Sequence, residues 1–197
     1  MRDRHLVLFA KAPRFGMVKT RLAQDIGPMA ALRFYRSTLA SMGRQLGADP
    51  RWTLVLAVTP DKTALQDGLW PAGVPRIGQG GGDLGARMDR AMRLLPPGPV
   101  LIIGSDIPAL RPAHVEKGFR LLERRGGVIG PTKDGGYWCV GLKRLLGVPR
   151  IFDNIDWSSG QELGQTVANM KRAGLDPGFA DELLDVDTGA DYAQAFS

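Results

Sequence analysis

Sulfur and imidazole chemistry are nearly missing from this chain, whose 197 residues include one cysteine and two histidines. A lone Cys139 excludes an internal disulfide and a cysteine-based zinc site. Its place inside YWCVGL (137–142) predicts a small buried hydrophobe rather than a reactive thiol. His5 and His114 stand far apart on predicted elements, a poor arrangement for a metal pair or a catalytic dyad. Long apolar runs are lacking too. LVLAV (54–58) and VLII (100–103) are typical, against the ~20 residues of a membrane span. The N-terminal segment MRDRHLVLFAKAP is basic and then apolar, but its apolar stretch falls short of the ~7–15 residues of a signal segment and no small-residue cleavage site follows. It reads as a first strand, and the protein is expected in the cytoplasm.

Long basic tracts are also absent, although the net charge is +6, with 26 basic against 20 acidic residues. The cations are scattered, with short clusters at 19–21, 120–125 and 143–144, and no aromatic-interleaved basic sheet accompanies them. That pattern favours a small phosphorylated ligand over nucleic acid, so no nucleic-acid partner is expected. A hydrophobic share of 44% is ordinary for a globular chain. The length suits one domain over 1–197 with a single core.

Strands are predicted at 5–10, 53–59, 100–104, 127–131 and 137–142. Several are continuous apolar runs, the mark of strands covered on both faces. Between them, Met29, Leu32, Tyr35, Leu39, Met42 and Leu46 recur at steps of three and four, which predicts a helix over 29–46 with Pro28 at its first position. Asp83 is placed to cap a helix over 84–95, and Pro112 to open one through Val115, Phe119 and Leu122. Further helices are expected at 160–173 and after Thr188. This alternation predicts an α/β fold, a three-layer α/β/α domain around a mostly parallel sheet. Ligands of such sheets bind at the carboxyl ends of the strands, so the residues after each strand are the candidates.

After the first strand comes KAPRFGMVKTRL (11–22), read as a loop in which Gly16 permits a tight turn and Lys11, Lys19 and Arg21 offer donors to a polyanion. Neither the Walker A spacing nor G-x-G-x-x-G is present. After VLIIG comes SDIPAL (105–110). A carboxylate immediately behind an apolar strand needs a partner, and at a strand's carboxyl end a magnesium or manganese ion bridging phosphates suits Asp106. In DVDTGADY (185–192), Asp185 and Asp187 point the same way in extended chain, so that one could reach the same ion, while capping of the last helix by Asp187 or Thr188 is an equally good local reading. KDGG (133–136) is ordinary turn chemistry that could also bring Asp134 to an acceptor. Trp157 could stack on a ring, but a half-buried core tryptophan is the simpler reading.

The order of the motifs is more specific than any one of them. F-A-K-A-P-x-x-G-x-V-K-T-R-L, G-D-L-G-x-R-M (82–88), G-S-D-I-P-x-L (104–110), G-P-x-x-D-G-G-Y (130–137), W-S-S (157–159) and D-V-D-T (185–188) resemble a bacterial family of GT-A-fold proteins. That family has been catalogued as a domain of unknown function and is usually labelled as nucleotide-sugar glycosyltransferases. It is similar also to 2-phospholactate and molybdenum-cofactor guanylyltransferases. The resemblance spans nearly the whole chain and implies a Rossmann-like GT-A fold. It implies that Lys11, Lys19 and Arg21 face the nucleotide's phosphates, that Asp106 and Asp187 hold Mg²⁺ or Mn²⁺, and that Gln79, Asp83 and Arg87 lie beside the nucleoside. The activity expected is metal-dependent glycosyl transfer from a nucleotide-diphospho-sugar to a small-molecule acceptor, with Asp134 as the catalytic base. Nucleotidyl transfer from an NTP to a phosphorylated acceptor is the alternative. GSDIP carries one aspartate rather than a full D-x-D, which puts more weight on Asp187.

Overall fold

The structure, a computed structural model, describes residues 3–144 and 147–196. Its framework is a seven-stranded sheet of β1 (His5–Lys11), β2 (Thr53–Thr59), β3 (Arg76–Gly78), β4 (Val100–Ile103), β5 (Gly127–Pro131), β6 (Tyr137–Leu142) and β7 (Gly178–Phe179). The strand order is β3-β2-β1-β4-β6-β5-β7. Every pairing is parallel except those of β6, which runs antiparallel between β4 and β5. The mostly parallel α/β architecture expected from the sequence is therefore present.

Strand alternation sends the apolar side chains to two faces. Leu6, Leu8, Leu56, Leu101 and Ile103 face one way, against α2 (Pro28–Gly47) and α4 (Pro112–Arg125) through Tyr35, Leu39, Val115 and Phe119. Val7, Ala57, Ile102 and Val140 face the other way, against Met88 and Met92 of α3 (Leu84–Leu94) and Met170 of α5 (Glu162–Arg172). Each fully buried Leu, Ile or Met contributes roughly 1.5–3 kcal/mol relative to exposure, so the two apolar layers fix which face of the sheet each helix covers. Cys139 is buried in this packing, and Trp157 is a half-buried member of the second layer.

Three short elements lie outside the sequence expectation. α1 (Thr20–Ile26) occupies the second half of the segment read as a basic loop. The third-strand position β3 has three residues and the edge strand β7 two. α1 and the last helix, α6 (Gly189–Ala195), pack together near the sheet's carboxyl edge, where Leu22, Ala31, Phe34 and Val186 form a separate apolar cluster. That small cluster anchors both flanks of the site.

Candidate functional site

The carboxyl ends of β1, β2, β3, β4 and β5 share one edge of the sheet. A cleft of about 420 Å³ opens there. Its walls include Phe9, Lys11, Met17, Lys19, Arg21, Tyr35, Gln79, Leu84, Ser105, Asp106 and Asp187. A larger cavity of about 760 Å³ lies between α3 and residues 148–154. Of the candidate residues only Asp83 lines it, so the converging chemistry places the site in the smaller cleft.

Lys19 stands at the centre of that chemistry. Its Nζ donates to Asp106 Oδ2 at 2.7 Å and to Asp187 Oδ1 at 2.6 Å, and the lysine side chain is only 7% exposed. Burial alone would lower its pKa, but the charges and hydrogen bonds of Asp106 and Asp187 outweigh burial and hold the ammonium above the ordinary lysine range. The backbone at Lys19 is left-handed (φ 49°, ψ 48°) and serves as the N-cap of α1, whose Ala23 N–H bonds back to the Lys19 carbonyl at 2.8 Å. For a residue with a side chain such a conformation costs about 1–3 kcal/mol, and it persists where the surroundings over-determine it.

Each partner is delivered by a different part of the chain. Asp106 sits in the turn after β4. Asp187 arrives on a segment that leaves β7 along the edge of β5, with Ala180 N–H on Ile129 O (2.9 Å) and Leu183 N–H on Pro131 O (3.3 Å). It then crosses over, Val186 N–H donating to Asp106 O at 3.1 Å. Val186 is fully buried, so its neighbours Asp185 and Asp187 face away from the apolar cluster. Capping of α6 falls to Thr188, whose Oγ1 accepts from Asp191 N–H while Asp191 Oδ2 accepts from the Thr188 N–H. That leaves Asp187 to meet Lys19.

The surrounding charge is unbalanced. Asp185 lies within electrostatic reach of Asp106, Asp134 and Asp187, and burial, reinforced by those three charges, pushes its carboxyl up to about 6. Lys19 and the exposed Arg21, whose Nη1 is 3.5 Å from Asp187 Oδ2, are the cations paired with Asp187.

A family model described as "Uncharacterized protein conserved in bacteria (DUF2064)" matches residues 39–159. The chain belongs to that family. It is 31% identical to the protein from Desulfovibrio desulfuricans G20 described as a "putative nucleotide-diphospho-sugar transferase", with a TM-score of 0.88 over 95% of this chain and 84% of that one. Two more distant structures share the fold. One is 4-diphosphocytidyl-2C-methyl-D-erythritol synthase from Anaerococcus prevotii (12% identity, TM-score 0.61, 98% and 94% covered). The other is Rv0371c from Mycobacterium tuberculosis in complex with manganese (17%, 0.57, 98% of each chain). No curated protein matches the chain. The DUF2064 chain therefore has the nucleotide-diphospho-sugar transferase type of fold that its motifs implied.

The remaining candidate residues of this DUF2064 protein divide into two groups. Lys11 and Arg21 line the cleft, Arg21 with 72% of its side chain exposed. Gln79 is also at the cleft, but its side chain is buried and donates to Ala57 O at 2.8 Å and Ala10 O at 3.4 Å, tying the ends of β1 and β2 together. Asp83 caps α3 by accepting from Ala86 N–H at 2.8 Å, as its position predicted, and Arg87 donates to Gly82 O at 2.9 Å. These two brace the glycine-rich turn. Asp134 Oδ1 accepts from Thr132 Oγ1 (2.6 Å) and Gly136 N–H (3.0 Å), so the carboxylate shapes its own turn while its charge reaches Asp185.

Sequence reasoning did not find Tyr35 and Ser105. The Tyr35 hydroxyl donates to Lys11 O and accepts from Lys11 N–H, both at 2.9 Å, and lies 3.1 Å from Ser105 Oγ. It couples α2 to the strand ends that carry Lys11 and Asp106. The signal was available, since a buried tyrosine in an apolar stripe must find a partner for its hydroxyl.

A divalent cation fits this donor set. Among the described residues no three His, Cys, Asp or Glu side chains are grouped as metal ligands. Asp106 and Asp187 make a pair, already converging on a cation, the Lys19 ammonium. Magnesium is commonly held by one or two carboxylates with substrate phosphates and water completing the shell.

Proposed function

We propose that this DUF2064 protein is a divalent-metal-dependent transferase that uses a nucleotide-diphospho-sugar as donor. The observation that carries the reading is the meeting of Asp106, Asp187 and Lys19, with Lys11 and Arg21, in one cleft at the carboxyl edge of the sheet. Asp106 and Asp187 would hold Mg²⁺ or Mn²⁺, and when bound the ion supplies charge neutralisation for a leaving diphosphate. Lys11, Lys19 and Arg21 would bind the phosphates and stabilise the charge that develops on them. Phe9, Met17 and Leu84 give the cleft an apolar wall against which a base can lie. Asp134, on the turn beside the acidic group, is the candidate to take the proton of an acceptor hydroxyl. The acceptor is a small molecule.

A second reading rests on Asp187. The aspartate after β4 is single, and its partner comes from the C-terminal segment, the arrangement that the resemblance to guanylyltransferases implies. On that reading an NTP is joined to a phosphorylated acceptor with loss of pyrophosphate.

The leaving group separates the two. Wild-type protein and Asp106→Asn are offered a panel of nucleotide-diphospho-sugars and NTPs with Mn²⁺. Release of nucleoside diphosphate that the substitution abolishes supports glycosyl transfer; release of pyrophosphate replaces it with nucleotidyl transfer. Turnover of neither, or turnover indifferent to Asp106→Asn, overturns both.

A further inference from the structure

We propose that the Lys19 ammonium is a resident occupant of the carboxylate pair that a divalent cation must displace, so the site takes a metal–polyphosphate complex in preference to the free ion, which binds only weakly. This rests on the metal-site reading above and adds to it the form in which the ligand is taken.

Three observations carry it. First, the ammonium lies 2.7 Å from Asp106 and 2.6 Å from Asp187, hydrogen-bond contact with both. An ion held by the same two carboxylates would have to share the space that the ammonium fills. Second, the lysine is shielded from water where it stands, held by the two carboxylates, so a bare ion that pushes it off takes away both of its charge partners and leaves it beside the cations Lys11 and Arg21. A phosphate arriving with the ion removes that penalty by giving the ammonium a new anion. Third, the exchange needs no backbone movement. The Lys19 carbonyl is pinned by α1 through Ala23 N–H, while the four-carbon stem can swing. The cleft into which it would swing is lined by Lys11 and Arg21, so phosphates held by those two lie within its reach.

Competition of this kind has a sign that a simple phosphate-binding lysine does not share. Removing a lysine that only contacts phosphate leaves the affinity for free Mn²⁺ unchanged. Removing one that occupies the metal's place raises it.

The experiment titrates Mn²⁺ alone, by calorimetry, into wild type, Lys19→Met and Asp106→Asn, each first checked for a cooperative thermal melt. Lys19→Met is expected to bind free Mn²⁺ at least about tenfold more tightly than wild type, a difference of about 1.4 kcal/mol, and Asp106→Asn to lose binding. Equal or weaker binding by Lys19→Met, with binding still dependent on Asp106, overturns the exchange and spares the metal site. Mn²⁺ binding that Asp106→Asn leaves intact overturns the metal site itself. Wild-type protein supplies a measurement independent of any substitution, the rate of Lys19 acetylation followed by mass spectrometry. Saturating Mg²⁺ should raise that rate several-fold, and inorganic pyrophosphate added with the Mg²⁺ should bring it back down. A rate indifferent to bound Mg²⁺ sinks the proposal.

Discussion

Asp106 and His5 show how differently single titratable groups act in this molecule. Asp106→Asn keeps the shape and the hydrogen-bonding oxygen that Lys19 needs, while Asp187 still supplies a negative charge at 2.6 Å. The variant should therefore fold, with a loss of about 1–2 kcal/mol at most, and lose on the order of 10²–10³ in transfer rate as charge stabilisation goes. A denaturant melt and product release measure the two separately. His5 lies at the other end of β1, with Nε2 buried and unpaired. Burial, assisted by the Arg144 charge, holds its pKa below the ordinary 6.5. The unfolded chain thus takes up a proton as pH falls below 6.5 while the folded chain resists it, and the folded state loses stability over that window until the folded pKa is passed. Melting temperature should fall from pH 7 to 5.5 more steeply in wild type than in His5→Asn. Parallel profiles would contradict this.

Among the elements, the turn between β5 and β6 is the most tightly constrained part of the site's edge. Gly135 has φ +87°, and a Cβ there would lie 2.0 Å from the Gly160 carbonyl oxygen, where the segment leading into α5 docks on the turn. Gly135→Ala should cost about 2 kcal/mol or more, through strain and backbone displacement together, and should move Asp134. Gly16 has a similar φ of +70°, but a Cβ there meets nothing within 4 Å. Gly16→Ala should cost only the conformational part, about 1 kcal/mol. Urea midpoints of the two variants test the difference.

The same scale shows what the sequence could and could not convey. β1, β2, β4, β5 and β6 were legible as short apolar stretches, several of them continuous runs, and α2 because six apolar residues repeat along it. β3 and β7 are too short to show any period. α1 went unseen because Leu22 is its only buried residue, so no stripe marks it, and because Lys19 and Arg21 invited a loop reading. Local pattern offered Asp185 or Asp187 as a partner for Asp106 at one ion, with helix capping as an equal reading, and the resemblance selected Asp187. The position of Lys19 between them was beyond reach, since a lysine destined for phosphate and one destined for carboxylates look the same in a string of letters.

Across the whole molecule, the apolar layers on the two faces of the sheet hold the fold, and Lys19, with Arg21 beside Asp187, offsets the acidic pair without help from an ion. Removing metal with a chelator should therefore stop turnover on the nucleotide panel yet shift the melting temperature by only about 2 °C or less, no more than about 1 kcal/mol produces in a domain of this size. A large drop in melting temperature would mean that metal is part of the folded core.

Lys19, Asp106 and Asp187 lie 87 and then 81 positions apart along the chain (the second from 168 − 87). During translation the sheet's middle strands are made long before the ribosome reaches the third of these residues. A nascent polypeptide can thus have most of its scaffold in place while still unable to close the charge triad.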